Sequence, residues 1–246
     1  MASVYEVYTT LKDLANKDEK GMITPQQFNA FAGYAQTKVF NQMFTDLNGY
    51  KRLGLVDFSA IRPADKNKQI LEDLATFSKT ATITGSQGSF TKPSDLARII
   101  SLSTMGDWIL DQTTSERIQL VYDEEKMENI LTSTLSVPTE DNPVALVSTD
   151  IQVFPTTIRK IKLRYYKTPE GVSPLDGSKT SSLPSFGYNV AANGSEVYDV
   201  VNSVDFELPD HYVPALVLEI AKMIGVNLRQ ADLYNYGQAE EQKNNQ

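Results

Sequence analysis

The residues whose spacing most resembles a metal site lie in the segment Asn16–Ile23. An EF-hand calcium loop takes oxygen ligands at its first, third and fifth positions, a glycine at its sixth and a bidentate glutamate at its twelfth. Lys20 places a cation at the fifth position, and Gln27 replaces the closing glutamate. The chain matches the loop at Asn16, Asp18 and Gly21, and Ile23 fits its apolar eighth position. We therefore expect a plain connection between two helices and no metal ligand.

Paired carboxylates are a second possible source of chemistry, because two of them can share the acid and base roles of glycoside hydrolysis. An acidic run is also typical of the solvated first turn of a helix, where carboxylates stabilise the N-terminus. Nothing apolar beside these acids would raise a pKa. We favour the solvated turn and keep a carboxylate-based cell-wall hydrolase as an alternative; the acids are Asp123, Glu124, Glu125 and Glu128.

The composition excludes most other catalytic arrangements. The 246 residues include no cysteine and one histidine, His211. Disulfides, thiolate zinc sites, cysteine nucleophiles and sites needing two imidazoles are therefore excluded. His211 follows Asp210 without a serine elbow, so we expect a surface residue at a helix start. The sequence predicts no catalytic residue and no cofactor, hence a protein that is not an enzyme.

The overall charge is acidic, with 31 acidic against 23 basic residues and a net charge of −8. This charge repels a phosphate backbone and argues against nucleic-acid binding by the whole surface. The longest apolar stretches are short and interrupted, which predicts no membrane span. The first ten residues lack the pattern of a secretory signal, so we expect synthesis in the cytoplasm.

Cations concentrate on one face of a predicted strand near residues 157–166. Side chains alternate between the two faces of a strand, so Lys160, Lys162, Arg164 and Tyr166 share a face. That face is either the solvent side of a half-buried sheet or a basic patch that meets an acidic patch on an identical subunit. The second interpretation favours head-to-tail ring assembly.

Helical periodicity dominates the first part of the chain. Apolar residues at three- and four-residue steps from Val4 to Leu14 predict one helix. Thr24, Pro25 and Gln27 fit the capping positions of a second helix, which should be covered on two sides. A third helix is predicted from about Asp65 to Phe77, with its inner face at Ile70, Leu71, Leu74 and Phe77.

Strand patterns follow, and they end in a last helix. We predict strands at Thr80–Thr84 and Ile118–Tyr122, a short helix at Asp123–Leu131, and an antiparallel meander from Val144 to Tyr166. The segment 168–195 is predicted as a long loop, functional or disordered. Strand character resumes at Val200–Leu208, a helix follows from Pro209, and the end is polar.

These elements predict an α+β fold: an N-terminal helical bundle packed with a small antiparallel β meander or sandwich, then a C-terminal helix with an extended tail. The regions are residues 1–80, mainly helical, residues 81–208, mainly β with the long loop at about 168–195, and residues 209–246, the helix and polar tail. We expect them to form one composite domain.

Three segments of the sequence can be compared with known proteins: LKDLANKDEKGMITPQQF from Leu11, continuing to FNAFAGYAQTKVFNQMF; VPTEDNPVALVSTDIQVFPTTIRKIKLRYYKTP from Val137; and DFELPDHYVPALVLEIAKMIGVNLRQADLYNYGQAEEQ from Asp205. Together they resemble the neck or ring proteins of crAss-like bacteriophages that infect Bacteroidota. The three segments are distributed from Leu11 to Gln242 and together make up less than half of the 246 residues.

The resemblance implies a head-to-tail connector or adaptor of the virion. Identical subunits, twelve copies in such adaptors, would form a ring that joins the portal protein to neighbouring ring or tail proteins. The ring would enclose DNA without sequence-specific binding and without a membrane. The protein would be made in the host bacterial cytoplasm and end in the neck or tail of the virion.

Candidate interface residues follow from the basic strand face, the long loop and the tail: Lys160, Lys162, Arg164, Tyr166, Phe186, Tyr188, Tyr234 and Tyr236. An alternative role is a tail-side structural module that anchors fibres or contacts the host surface. That role would need an exposed, aromatic-rich loop such as Ser182–Tyr188.

Overall fold

The computed structural model describes residues 1–17, 23–53, 63–105, 116–192 and 194–227. The α-helices of these ranges are α1 (Val4–Lys17), α2 (Pro25–Leu53), α3 (Pro63–Ala75), α4 (Glu124–Thr132) and α5 (Val213–Asn227), with a 3₁₀ turn at Asp210–Tyr212 before α5. The strands are β1 (Ser78–Thr84), β2 (Ser89–Phe90), β3 (Leu96–Thr104), β4 (Arg117–Val121), β5 (Val144–Val147), β6 (Ile151–Phe154), β7 (Lys160–Lys167), β8 (Gly171–Val172), β9 (Lys179–Thr180), β10 (Tyr188–Val190), β11 (Glu196–Tyr198) and β12 (Asp205–Phe206). The fold is α+β, as predicted.

The chain divides into two compact units. Unit 1 combines Met1–Asp73 with Pro169–Gln246, and unit 2 is the continuous stretch Leu74–Thr168. The division differs from the three regions drawn from the sequence, because residues 169–208 belong with the helices of unit 1. Sequence patterns mark where helix gives way to strand, whereas the units are set by which segments pack together.

The helices of unit 1 follow their sequence patterns closely. The predicted capping box begins α2: the Thr24 hydroxyl accepts from the Gln27 backbone N–H at 3.3 Å, and the Gln27 side chain accepts from the Thr24 N–H at 3.2 Å. Both apolar stripes of α2 are buried within the chain, and α5 packs against both α1 and α2. The buried residues of α2 include Phe28, Ala32, Ala35, Val39, Phe40, Met43, Phe44 and Leu47.

Helix α3 corrects one detail of the prediction. Leu74 is buried, but Leu71, assigned to the same inner face, is 45% exposed. The helix ends at Ala75, so Phe77 is buried from a position beyond the helix. The buried face of α3 is therefore narrower than the spacing of its apolar residues predicts.

The predicted long loop at 168–195 is instead built from short strands. Strand β8 lies between β9 and β12, and β10 pairs with β11. Of the predicted strand Val200–Leu208, only Asp205–Phe206 is a strand. Strands of two or three residues are too short to show an alternating pattern, which is why the sequence suggested a loop.

Unit 2 is a seven-stranded sheet with the order β1-β7-β3-β4-β5-β6-β2. The predicted antiparallel meander is correct for the β5–β6 hairpin but wrong for its other connections. Strand β7 lies between β1 and β3, antiparallel to both, and β4 pairs with β5 in parallel. A strand with alternating hydrophobicity in the interior of a sheet pairs with one strand on each side. The sequence pattern of β7 does not identify those two neighbouring strands.

The two edge strands of this sheet are neighbours in sequence, which forces the sheet to curl. Strands β1 and β2 are joined by a two-residue turn at Gln87 and Gly88, both with positive φ, 52° and 78°, as in tight hairpins. The curl encloses one apolar core: Phe90, Leu102, Ile118, Ala145, Ile151, Val153, Ile161, Leu163 and Tyr165. The outer surfaces of the two halves of the sheet therefore face different directions.

Helix α4 covers part of that outer surface. The Asp123 side chain caps the helix by accepting from the Glu125 N–H at 3.1 Å. Met127 packs with Val121, Val144 and Leu146, whose positions alternate with the inward-facing residues of β4 and β5. The helix thus lies over β4 and β5, while β1, β7 and β3 keep their own outer surface.

Candidate subunit interface

From Lys160 to Tyr165, strand β7 separates apolar from basic side chains as its sequence predicts, whereas Lys167 at its end is buried. Ile161, Leu163 and Tyr165 are buried in the core of unit 2, whereas Lys162 and Arg164 are exposed and Lys160 is half-buried. Because side chains alternate along a strand, burial of the apolar ones on one face makes the residues between them point to the opposite face. The three predicted cations therefore lie side by side on the outer face.

The neighbouring strands add hydroxyl groups to this outer face. Strand β1 places threonines opposite the three cations, at Thr80, Thr82 and Thr84. On the other side, Ser101 of β3 lies opposite Arg164, and Ser103 lies opposite Lys162. These side chains are polar but uncharged, so they add no negative charge to the face.

Two further cations join the face, and sequence analysis missed both. Arg98 of β3 lies opposite Tyr166, and Arg117 of β4 lies opposite Ser103. The register of three strands, β7, β3 and β4, brings them together, and no local pattern reports such a register. We call the resulting set the basic face: Arg98, Arg117, Lys160, Lys162 and Arg164.

The strands that form the basic face contribute only basic and neutral side chains to it. Strands β1, β3, β4 and β7 contain no aspartate or glutamate. Within the described ranges, Lys162, Arg164 and Arg117 form no ion pair with a carboxylate. Close cations repel one another, so such a surface favours an acidic partner.

A small surface cavity lies beside Arg117, where β3 and β4 separate. The two strands pair only at Leu102 with Ile118 and at Ser103 with Arg117, and β3 has an irregularity between Ile99 and Ser101. The cavity has a volume of about 290 Å³ and is lined by Ile100, Ser101, Arg117, Ile118, Gln119 and Leu120. It offers an apolar recess next to a guanidinium group.

The predicted aromatic contacts are placed differently from the cations. Tyr166 is half-buried on the same face as the cations of β7. Tyr188 is also half-buried and accepts a hydrogen bond from the Gln26 side chain at 3.3 Å. Phe186 is only 4% exposed, which removes it as a contact for another subunit. Tyr234 and Tyr236 lie outside the described residues.

Phe186 instead anchors the segment predicted as a long loop, residues 168–195, to the helices of unit 1. Its ring centroid lies 4.2 Å from that of Tyr8 and 5.2 Å from that of Tyr198. Its backbone N–H donates to the Asn29 side chain at 2.7 Å, and its carbonyl accepts from that amide at 3.1 Å. Burial, followed by the hydrogen bond to Glu196, raises the pKa of Tyr8.

His211 forms a structural contact that the sequence did not reveal. Its Nε2 lies 2.9 Å from a carboxylate oxygen of Asp73, and the Tyr212 hydroxyl donates to the same oxygen at 3.1 Å. Burial, followed by the charge of Asp73, raises the pKa of Tyr212. This cluster ties α3 to the turn before α5 within unit 1.

The remaining sequence candidates bring together no catalytic or metal centre in the described ranges. Glu124, Glu125 and Glu128 are exposed, and Asp123 caps α4. The calcium-like positions Asp18, Lys20 and Gly21 lie outside the described residues. Among the residues that the structure describes, no cluster of three potential metal-ligating side chains occurs.

No protein-family model matches this sequence, and no curated protein matches it significantly. In the described part of the chain, no helix has both the length and the apolar character to cross a bilayer.

Proposed function

We propose that this protein is a structural protein of a tailed-phage virion that forms an oligomeric ring in the head-to-tail connector. The ring extends the DNA channel of the portal and joins it to tail components. The subunit acts by assembly and has no catalytic role. The proposal rests on the sequence resemblance and on the surface chemistry of unit 2.

The basic face is the observation that carries the proposal. A chain with a net charge of −8 places five cations on one sheet surface whose strands contain no acid. An identical subunit of this acidic protein is an abundant source of complementary charge. A contact between different surfaces of identical copies is heterologous, and it closes into a ring when the rotation between copies permits.

The same charge balance suits a channel for DNA. A ring of acidic subunits repels the phosphate backbone at long range, so DNA can pass without being held. Cations covered by a neighbouring subunit would not contact that DNA. The basic face and the acidic net charge therefore serve two separate needs of one connector.

The alternative of a tail-side module loses its main support in this structure. It needed exposed aromatic side chains at Ser182–Tyr188, but Phe186 is buried and Tyr188 is half-buried and hydrogen-bonded. The cell-wall hydrolase alternative needed a protected carboxylate pair, but Glu124 and Glu128 are exposed.

Mass measurement tests the ring directly. The purified chain is examined by light scattering and native mass spectrometry, alone and after co-expression with the portal protein of the same phage. We expect closed oligomers in one or both preparations, with ring-shaped particles in electron micrographs. Free monomer in both preparations, at concentrations up to tens of micromolar, would contradict the proposal.

A further inference from the structure

Helix α4 and the residues that follow it form an acidic and apolar surface on unit 2. Glu124 and Glu128 are four residues apart, so they lie on the same side of the helix. We call residues 122–137 the α4 segment. It exposes several large apolar side chains: Tyr122 at 65%, Leu131 at 38%, Leu135 at 96% and Val137 at 55%.

Such a combination is typical of a protein contact surface. Single exposed apolar residues are ordinary, but a group of them on one short segment marks an interaction site. Acidic side chains around apolar ones supply the orientation of a contact, while the apolar area supplies affinity. The α4 segment therefore needs a partner that is basic and has an apolar recess.

The basic face has both properties. Lys162, Arg164 and Arg117 supply exposed positive charge, and the cavity beside Arg117 is lined in part by Ile100, Ile118 and Leu120. The two surfaces are thus complementary in charge and in apolar character. Both belong to unit 2, so every copy of the chain carries one of each.

The curl of the sheet keeps the two surfaces of one copy apart. The basic face lies outside β1, β7, β3 and the start of β4, whereas α4 lies over β4 and β5. The outer surfaces of the two halves face different directions because the edge strands β1 and β2 are joined by a tight turn. Each surface can therefore meet its complement on a different neighbour.

We propose that the α4 segment of one copy docks on the basic face of the next copy. Glu124 and Glu128 face Lys162, Arg164 and Arg117 across this contact, and the apolar side chains of the segment cover the recess beside Arg117. The inference rests on the proposed ring and identifies its subunit contact as heterologous. Repeating one such contact joins all copies head to tail.

Charge reversal on each side tests the pairing. One variant carries Lys162→Glu with Arg164→Glu, and a second carries Glu124→Lys with Glu128→Lys. In native mass spectrometry, we expect the assembled fraction of each variant alone to be at least tenfold lower than that of the natural chain. Lys68→Glu and Glu72→Lys, which reverse single exposed charges on α3, should assemble like the natural chain.

Restoration is the decisive part of the experiment. In a mixture of the two variants, each reversed surface meets its complement on the other variant, so alternating rings should form again. A chain with all four substitutions should assemble without a partner variant. Circular dichroism of each variant verifies that loss of assembly is not loss of folding.

The outcomes separate this inference from the proposed ring. If the natural chain forms rings and both reversals leave them intact, the docking inference is wrong and the ring stands. Loss in both variants without restoration in the mixture or the combined chain would also overturn the pairing. If Lys162→Glu with Arg164→Glu keeps the ring but abolishes binding of a short DNA duplex, the occupant of the face is a polyanion. Failure of the natural chain to assemble with the portal protein contradicts the ring itself.

Discussion

The two units use polar groups in different ways. In unit 2 the backbone is paired mainly strand to strand, and Lys162 and Arg164 of β7 are exposed on the outer face. In unit 1 a segment with little regular structure is fixed to the helices by individual side chains. The amide of Asn29 binds the backbone of Phe186, and the amide of Gln36 binds that of Glu170.

Gln36 shows why unit 1 depends on such bonds. Its side chain is buried, donates to the Glu170 carbonyl at 3.0 Å and accepts from the Glu207 N–H at 2.9 Å. The Glu207 carboxylate accepts from the Glu170 N–H at 2.9 Å and pairs with Lys179 at 2.7 Å. Short strands satisfy few of their own backbone groups, so buried side chains must satisfy the rest. We therefore expect buried polar side chains to be needed for folding in unit 1 and the exposed ones of the basic face to be dispensable to folding in unit 2.

The largest effect is expected when the aromatic anchor of unit 1 is removed. Phe186→Ala leaves a cavity against Tyr8 and Tyr198, and large-to-small changes of this kind cost about 3–4 kcal/mol. Urea unfolding followed by far-ultraviolet circular dichroism should show that loss. Val201→Ala, at a position 70% exposed, is the control and should change little. A loss below 1 kcal/mol for Phe186→Ala would mean that the segment is held without its aromatic anchor.

The next effect follows from removing the Gln36 amide while keeping its approximate size. Gln36→Leu leaves the Glu170 carbonyl and the Glu207 N–H without this partner in a buried site, which should cost about 2–3 kcal/mol. Gln42→Leu on the same helix removes only an exposed bond to Asp46 and should cost under about 0.5 kcal/mol. Equal stability of the two variants in urea would contradict the comparison between the units.

Local patterns predicted the parts of the fold that depend on near neighbours. The capping box at Thr24 and Gln27, the short helix predicted at Asp123–Leu131 and the alternation of β7 each involve residues a few positions apart, and the structure confirms them. The basic side chains of β7 were found for the same reason. Their direction is fixed by Ile161 and Leu163 within the same strand.

The rest depends on contacts between distant residues, which the sequence does not report. Arg98 and Arg117 join the basic face only through the pairing of β3 with β7 and β4. Phe186 looked like an exposed loop residue because its partners, Tyr8 and Asn29, lie far away in the chain. Burial of a polar side chain such as Gln36 likewise has no periodic signal.

A smaller effect, dependent on pH, is expected for the polar cluster of unit 2. Partial burial alone would raise the pKa of Asp95, but hydrogen bonds from Lys79 and Tyr165 outweigh it and lower that pKa below its ordinary value of 3.8. The Lys79 Nζ lies 2.6 Å and the Tyr165 hydroxyl 2.9 Å from the carboxylate. A carboxyl group whose pKa is lowered by folding stabilises the folded state at every pH above the pKa that it has in the unfolded chain. This stabilisation is lost as the pH falls through the pKa of the folded chain.

Asp95→Asn should therefore destabilise unit 2 at neutral pH by about 1 kcal/mol. The difference from the natural chain should begin to shrink below about pH 4, because the carboxylate of the unfolded chain then takes up protons before the folded one does. Urea midpoints at pH 7, 5 and 3 measure both effects. Asp141→Asn, at an exposed position, is the control, and a deficit for Asp95→Asn that stays constant down to pH 3 would contradict the role given to its charge.

The smallest effect on stability is expected on the basic face itself. Lys162→Gln with Arg164→Gln keeps polar, exposed side chains on β7 and removes two neighbouring positive charges, so unfolding free energy should change by less than about 0.5 kcal/mol. Urea unfolding should therefore give overlapping curves for this variant and the natural chain. A loss above 1 kcal/mol would show that these cations serve the fold of unit 2, as Gln36 serves unit 1. Unchanged stability together with lost assembly would show instead that their charge is used between subunits, because a side chain that the fold does not need is one that a partner can use.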